Sequence, residues 1–303
     1  MLSVIYEIIS PIFLAAAIGF YIGRRFHPDT RTMSTIVLQV FLPALVLGSI
    51  AETTLSPEQI GLIAVLVILQ TIVMSSIGLV GAWLYRLPPT MRSSYMLGAM
   101  LANTGNYGLP VISFTFGERG LQTAVIVMVC TSIVTNTWGI YLATPRGGNP
   151  LAGVVNIFRV PTVYVIPIGL YLNFTDHTLP LPAARLVELF SGAAVPIMML
   201  LLGIQLSRIT FNKESRGTLP AVGSAVFARL LLAPVSVFLL TSLLGIGGLM
   251  QQVMILQLSM PTAVNGAVLI TEFGGDPQFI TTMILGSTLL SVVTLSLLLP
   301  IVL

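Results

Sequence analysis

Charge is what this chain has least of. Asp, Glu, Lys and Arg together make up 8% of its 303 residues, where soluble domains carry about a quarter. That shortage excludes an ordinary water-soluble surface. The net charge of +3 comes without any basic cluster interleaved with aromatics, so nucleic acid is not an expected partner. A single cysteine, Cys130, excludes an intrachain disulfide and, set in an apolar run, reads as a small packing residue. The two histidines, His27 and His177, stand in loops without ligand partners at usable spacing, so no metal is expected. No phosphate-binding glycine loop is present, and neither a Ser/His pair nor a pair of catalytic aspartates. ATP-driven pumping and intramembrane enzymology are therefore not expected, and no cofactor is implied.

What is present is apolar sequence, 55% of the chain. Ten runs have roughly the length needed to cross a bilayer as helices: about 4–23, 34–51, 60–84, 93–116, 121–142, 158–173, 186–206, 219–244, 249–272 and 278–302. The linkers are short, and the longest, Pro145 to Pro150, falls near the midpoint. No basic residue precedes the first run, while Arg24 and Arg25 follow it, so no cleavable leader is expected. The chain reads as an all-α polytopic protein of the cell (inner) membrane. Ten basic residues lie in the linkers after runs one, three, five and seven, and only Arg119 and Arg185 on the other side. The positive-inside rule then puts both termini outside.

Two runs are interrupted. Asn103, Thr104, Gly105, Asn106, Gly108 and Pro110 crowd the middle of the fourth. Pro261, Thr262, Asn265 and Gly266 interrupt the ninth, 157 residues further on. Proline removes a backbone donor and clashes with the preceding turn, and each glycine weakens a helix by about 1 kcal/mol. Such a break frees peptide groups where water is scarce, which is tolerated only inside protein or beside a polar cavity. Paired broken helices point to a transporter substrate site. Each half-helix would aim an N-terminus, with about half a positive charge and unpaired N–H groups, at mid-membrane, which suits an anion. Asn103 and Asn106 read either as caps of the broken ends or as amide ligands, and Asn265 is open in the same way. Gly105, Gly108, Pro110 and Gly266 read as shaping the breaks.

Arg229 is a charge within the eighth run, either a functional residue or a brace on backbone carbonyls near the cytoplasmic end and away from the breaks. Glu7, Glu188, Glu272 and Asp276 lie near run ends, so carboxylate-based coupling to protons or sodium has no mid-membrane pair to use. The halves resemble each other: Phe41–Gly48 with its Pro43 matches Ala194–Gly203 with its Pro196, and Phe116-Gly117 matches Phe273-Gly274. Repeats of five helices must be inverted, because five is odd. They would span 1–142 and 151–303.

At these residues the chain resembles the auxin efflux carrier family of membrane transporters, which includes plant carriers and bacterial carriers of organic acids. The family's fourth-helix P-N-T-x-x-x-G-x-P pattern reads here as Ala102 to Pro110, with alanine for the first proline. Arg159, Pro161 and Tyr164, leading to Ile168-Gly169-Leu170, match the sixth-helix pattern. Arg229 to Pro234 matches R-x-x-x-x-P, and Met260-Pro261-Thr262 matches the ninth-helix motif. The resemblance implies inverted five-helix repeats whose fourth and ninth helices cross at their breaks, as in bile-acid symporters and sodium/proton antiporters. It implies a moving body of helices 3–5 and 8–10, and a scaffold of helices 1, 2, 6 and 7 through which the protein forms a homodimer. It also implies an organic anion as substrate, with Asn103 as its amide ligand and proton or sodium coupling open. Thr104, Asn106, Pro261, Thr262 and Asn265 are the further candidate contacts, with Arg229 and Gln70 as candidate support. Gln70, Ser75 and Ser76 stand where plant carriers have an ionisable pair, and the long loop of those carriers is absent. A passive channel or sensor on the same fold is the alternative.

Overall fold

The computed structural model describes residues 5–144, 161–175, 177–209 and 217–303. The midpoint linker, the start of the sixth run with Arg159, and Lys213 and Arg216 lie outside them. Among the described residues the chain is helical and no strand is present. The helices are α1 (Tyr6–Phe26), α2 (Thr30–Ala51), α3 (Pro57–Leu84), α4 (Pro89–Met100), α5 (Thr104–Ala143), α6 (Thr162–Thr175), α7 (Leu181–Ser207), α8 (Leu219–Leu243), α9 (Gly248–Leu258), α10 (Asn265–Phe273) and α11 (Pro277–Val302). Seven of these, namely α1–α3, α5, α7, α8 and α11, are long and apolar enough to span a membrane. The protein is an integral membrane protein.

Local chemistry sets the helix boundaries. Asp29, Ser56 and Asp276 accept from first-turn amides of α2, α3 and α11, and Ser56 forms a reciprocal capping box with Gln59. Gly117 turns α5 sharply, at φ 62° and ψ −153°, a conformation only glycine adopts readily. Gly274 ends α10 in the left-handed region at φ 86°. Five π-helical turns occur among the described residues: Ile5–Ile9, Val37–Phe41, Thr104–Gly108, Thr135–Gly139 and Ala228–Leu232. All but the fourth end two residues before a proline (Pro11, Pro43, Pro110, Pro234). Widening the preceding turn relieves the clash of the ring with the carbonyl four residues back.

Two sets of contacts can be told apart. In one, α1 packs on α7 with the helix backbones in direct contact. A Cβ added to Gly203 would lie 1.9 Å from the Ala16 carbonyl oxygen, and one on Gly19 would lie 2.1 Å from that of Leu200. Arg208 at the end of α7 donates to the Pro28 carbonyl (2.8 Å), so the pair runs parallel and Arg24, Arg25 and Arg208 share one end of the molecule. Asn173 on α6 donates to the carbonyls of Ala51 (3.0 Å) and Thr53 (2.9 Å) at the end of α2.

In the other set, α3, α4, α5, α8, α9, α10 and α11 pack together, and polar contacts tie several of them. Tyr95 meets Ser224 (3.0 Å), Tyr107 meets Ser291 (2.9 Å) and Ser94 donates to the Asp276 carbonyl (2.9 Å). Between the sets the packing is largely apolar, with Ile12, Leu45, Met198 and Leu202 against Tyr107, Leu109 and Val125.

Small residues let membrane helices approach closely. Gly203→Val should therefore force the α1–α7 seam apart and cost roughly 1–3 kcal/mol, read as a lower unfolding temperature in detergent. Gly61→Ala, on an open face of α3 with nothing within 4 Å, should leave that temperature unchanged. Equal behaviour of the two variants would show that the seam does not hold α1 to α7.

Candidate functional site

Chain order brings the two interruptions together in space. After α4 the backbone turns extended at Leu101 (φ −76°, ψ 110°). There Ala102 forms an antiparallel bridge with Thr262, in the gap between α9 and α10. The Asn103 amide donates to the Pro261 carbonyl (2.8 Å), and the Ala263 amide donates to that of Leu101 (3.1 Å). Thr262 is fully buried; its amide donates to Ser287 Oγ (3.1 Å) and its hydroxyl to the Gly98 carbonyl (2.9 Å). Gln257 donates from Nε2 to the carbonyls of Thr104 (3.1 Å) and Ala124 (2.9 Å). The peptide groups released by each break are thus taken up by the other break and by neighbouring side chains.

Arg229 completes this arrangement, and its position corrects the expectation that it lies away from the breaks. It is 1% exposed, donating from Nη1 to the carbonyls of Ala99 (3.2 Å) and Met100 (3.0 Å) and from Nη2 to that of Leu258. Those are the last carbonyls of α4 and of α9. Each helix C-terminus carries about half a negative charge, so one guanidinium offsets both. The bracing alternative therefore describes its contacts, but at the breaks themselves. Gln70, also buried, accepts from Ser236 Oγ (2.9 Å) and its Nε2 lies 3.5 Å from the Ala233 carbonyl, tying α3 to α8.

The opposite ends, the N-termini of α5 at Thr104 and of α10 at Asn265, border a cavity of about 1160 Å³. Asn103, Thr104, Gly105, Asn106 and Asn265 all line it. The Asn103 side chain makes no capping hydrogen bond, and its buried Nδ2 has no partner. Asn265 is exposed and no side chain caps α10. Thr104 exchanges a hydroxyl bond with Thr131 (3.0 Å), and Asn106 donates to Gln205 Oε1 (3.4 Å). Pro261 and Thr262 are buried and do not appear in the wall; the structure spends them on the bridge. Gly108 lies close against α9, since an added Cβ would lie 3.1 Å from Gln257 Cγ. Gly266 is buried against Ile280, and Pro110 stands in the first turn after the π-helical stretch. Among the described residues the charged ones in the wall are Arg31, Arg208, Arg229 and Glu272, a balance that favours anions.

Sequence reading missed Gln205 and Gln257. The signal available was a primary amide inside an apolar run, where burial without a partner costs several kcal/mol; nothing in the sequence said which partner each would find.

A helical membrane protein with a cavity bounded by two helix breaks has the build of a transporter. The chain belongs to the auxin efflux carrier-like family of membrane transport proteins, whose model, described as "Membrane transport protein", matches residues 4–155 and 154–299. Relatives agree. An uncharacterized transporter of Methanothermobacter thermautotrophicus is 27% identical, over 89% of this chain and 88% of its own. An uncharacterized transporter of Methanocaldococcus jannaschii is 23% identical over 96% of each chain. A Rhizobium meliloti protein named "Putative malonate transporter" is 24% identical, over 95% of this chain and 93% of its own.

Replacing Arg229 by methionine leaves three buried carbonyls without their donor. With hydrogen bonds to charged groups worth ~1.5–3 kcal/mol each, Arg229→Met should lower the unfolding temperature of purified protein sharply, and Arg229→Lys should recover part of the loss. Wild-type stability in Arg229→Met would remove the bracing role.

Proposed function

We propose that the protein is a secondary transporter of small organic anions, carboxylates foremost, and that the cavity at the paired breaks is its substrate site. The observation that carries this is Asn103 Nδ2, a donor buried in the cavity wall with no partner. Leaving it so costs free energy that a bound acceptor would recover. Two helix N-termini at the same cavity supply partial positive charge, and Arg229 neutralises the C-termini that would otherwise oppose it. Asn103 and Asn106 would then donate to the substrate, with Thr104 and Asn265 beside them. The malonate in the name of the Rhizobium meliloti relative makes malonate the first ligand to try.

The architecture that fits this reading is ten membrane helices in two inverted repeats, 1–142 and 151–303, crossing at the breaks. Phe116-Gly117 and Phe273-Gly274 support the repeat, since both glycines have positive φ where a broken helix ends. An elevator-like shift of α3–α5 and α8–α11 against α1, α2, α6 and α7 is consistent with the largely apolar packing between them. Those last four helices are the expected homodimer face. Energy would come from the substrate gradient or a coupled proton or sodium ion. The chain would sit in the cell (inner) membrane with both termini outside. A passive channel on the same fold differs in kinetics: carrier flux saturates with substrate.

A charge-assisted hydrogen bond is worth ~1.5–3 kcal/mol, so Asn103→Ala should weaken malonate binding by about tenfold to a hundredfold, with normal expression. Asn103→Asp should be worse, because a carboxylate repels an anion. Wild-type malonate affinity in Asn103→Asp at neutral pH would move the site elsewhere. For topology, Lys213→Cys in a Cys130→Ala background should react with impermeant thiol reagents only after the cells are opened. Labelling of intact cells would reverse the orientation and the inverted-repeat reading with it.

A further inference from the structure

A polar contact bridges the two sets of helices inside the cavity. Asn106, two residues into α5, donates from Nδ2 to Gln205 Oε1 on α7 at 3.4 Å. Gln205 in turn donates from Nε2 to Ser34 Oγ on α2 at 3.3 Å. All three residues line the cavity, beside the unpartnered amide of Asn103. Both bonds exceed the usual length for an N–H donor to oxygen, 2.7–3.2 Å. They are weak bonds between side chains that each have a stronger use available. Gln205, on α7, and Ser34, on α2, belong to neither break.

We propose that Gln205 is a substrate-positioning and specificity-determining residue, contributed from the helix opposite the breaks, and that the Asn106–Gln205–Ser34 relay is the set of bonds a substrate displaces. This rests on the anion-carrier reading above. A carboxylate has only acceptors, so on entering it displaces Gln205 Oε1 as the acceptor for Asn106. The terminal torsion of glutamine is broad and two-fold. Turning it over swaps Oε1 for Nε2, and the same side chain becomes a donor to the arriving carboxylate. Asn103 and Asn106 then hold the anion from the side of the breaks and Gln205 from the side of α7. The substrate replaces a weak internal bond by charge-assisted ones, and a neutral ligand without that gain is left to compete against the relay. Gln205 therefore adds a donor from the side of α7 to the discrimination between an acid and its amide that the helix dipoles begin.

The test uses purified full-length protein, with malonate and its neutral counterpart malonamide as probes, then a panel of mono- and dicarboxylates with their amides. Wild type should bind malonate far better than malonamide. Gln205→Met should weaken malonate about tenfold. Gln205→Glu keeps the acceptor that Asn106 uses but sets a carboxylate against the ligand, and should weaken malonate at least a hundredfold. It should also narrow or invert the preference over malonamide while the unfolding temperature stays at the wild-type value. A general disturbance would weaken both probes alike, so equal losses overturn the assignment, as does wild-type affinity in both variants. If wild type prefers the amides, the anion reading fails on its own. Gln205 is then judged by whether Gln205→Glu shifts the acid-to-amide ratio, and an unshifted ratio removes it from the site. If no member of the panel binds wild type, both the anion reading and this role are lost.

Discussion

A peptide group that leaves its helix inside a hydrocarbon layer must find its partner in protein, and this molecule meets that requirement by making its two interruptions answer one another. The bridge between Ala102 and Thr262 is the smallest unit of sheet, one residue wide. It satisfies the backbone where α4 and α9 end and fixes where α5 and α10 begin. Ser287, Gly98, Gln257 and Arg229 all contact residues of this bridge or of the helix ends beside it. The α3–α5 and α8–α11 set is in this sense built outward from a few unpaired amides and carbonyls.

The electrostatics follow from the same geometry. Four helix ends converge on the bridge, two of each sign. Arg229 reaches only the negative pair, because its guanidinium lies on the carbonyls of Ala99, Met100 and Leu258. The positive pair faces the cavity with amides beside it. Selectivity for an anion can thus arise from backbone dipoles, while Arg229 acts by cancelling their opposite ends.

The breaks were legible in the sequence because the residues that make them, Asn103 to Pro110 and Pro261 to Gly266, have unambiguous backbone consequences. The π turns before Pro11, Pro43, Pro110 and Pro234 have the same cause, although proline alone does not tell a π turn from a kink. Arg229 was legible as unusual but not as a brace on both breaks, since Ala99 lies 130 residues away in the chain and only the packing of α8 on α4 brings them together. The choice between cap and ligand at Asn103 needed the direction of one side chain. Gln205 was hidden for the same reason, as an amide in an apolar run declares that it has a partner without naming it.

The α1–α7 seam has a thermodynamic consequence. In lipid there is no hydrophobic drive to bring helices together, and a long side chain frozen at a contact gives up as much as 1.5–2 kcal/mol of rotamer freedom. Gly19, Gly203 and Ala16 have no rotamers to lose, so the seam gains backbone contact without side-chain ordering. Along those residues its strength should depend on shape. Heating, which penalises contacts built from ordered side chains, would loosen the rest of the molecule before it parted these two helices.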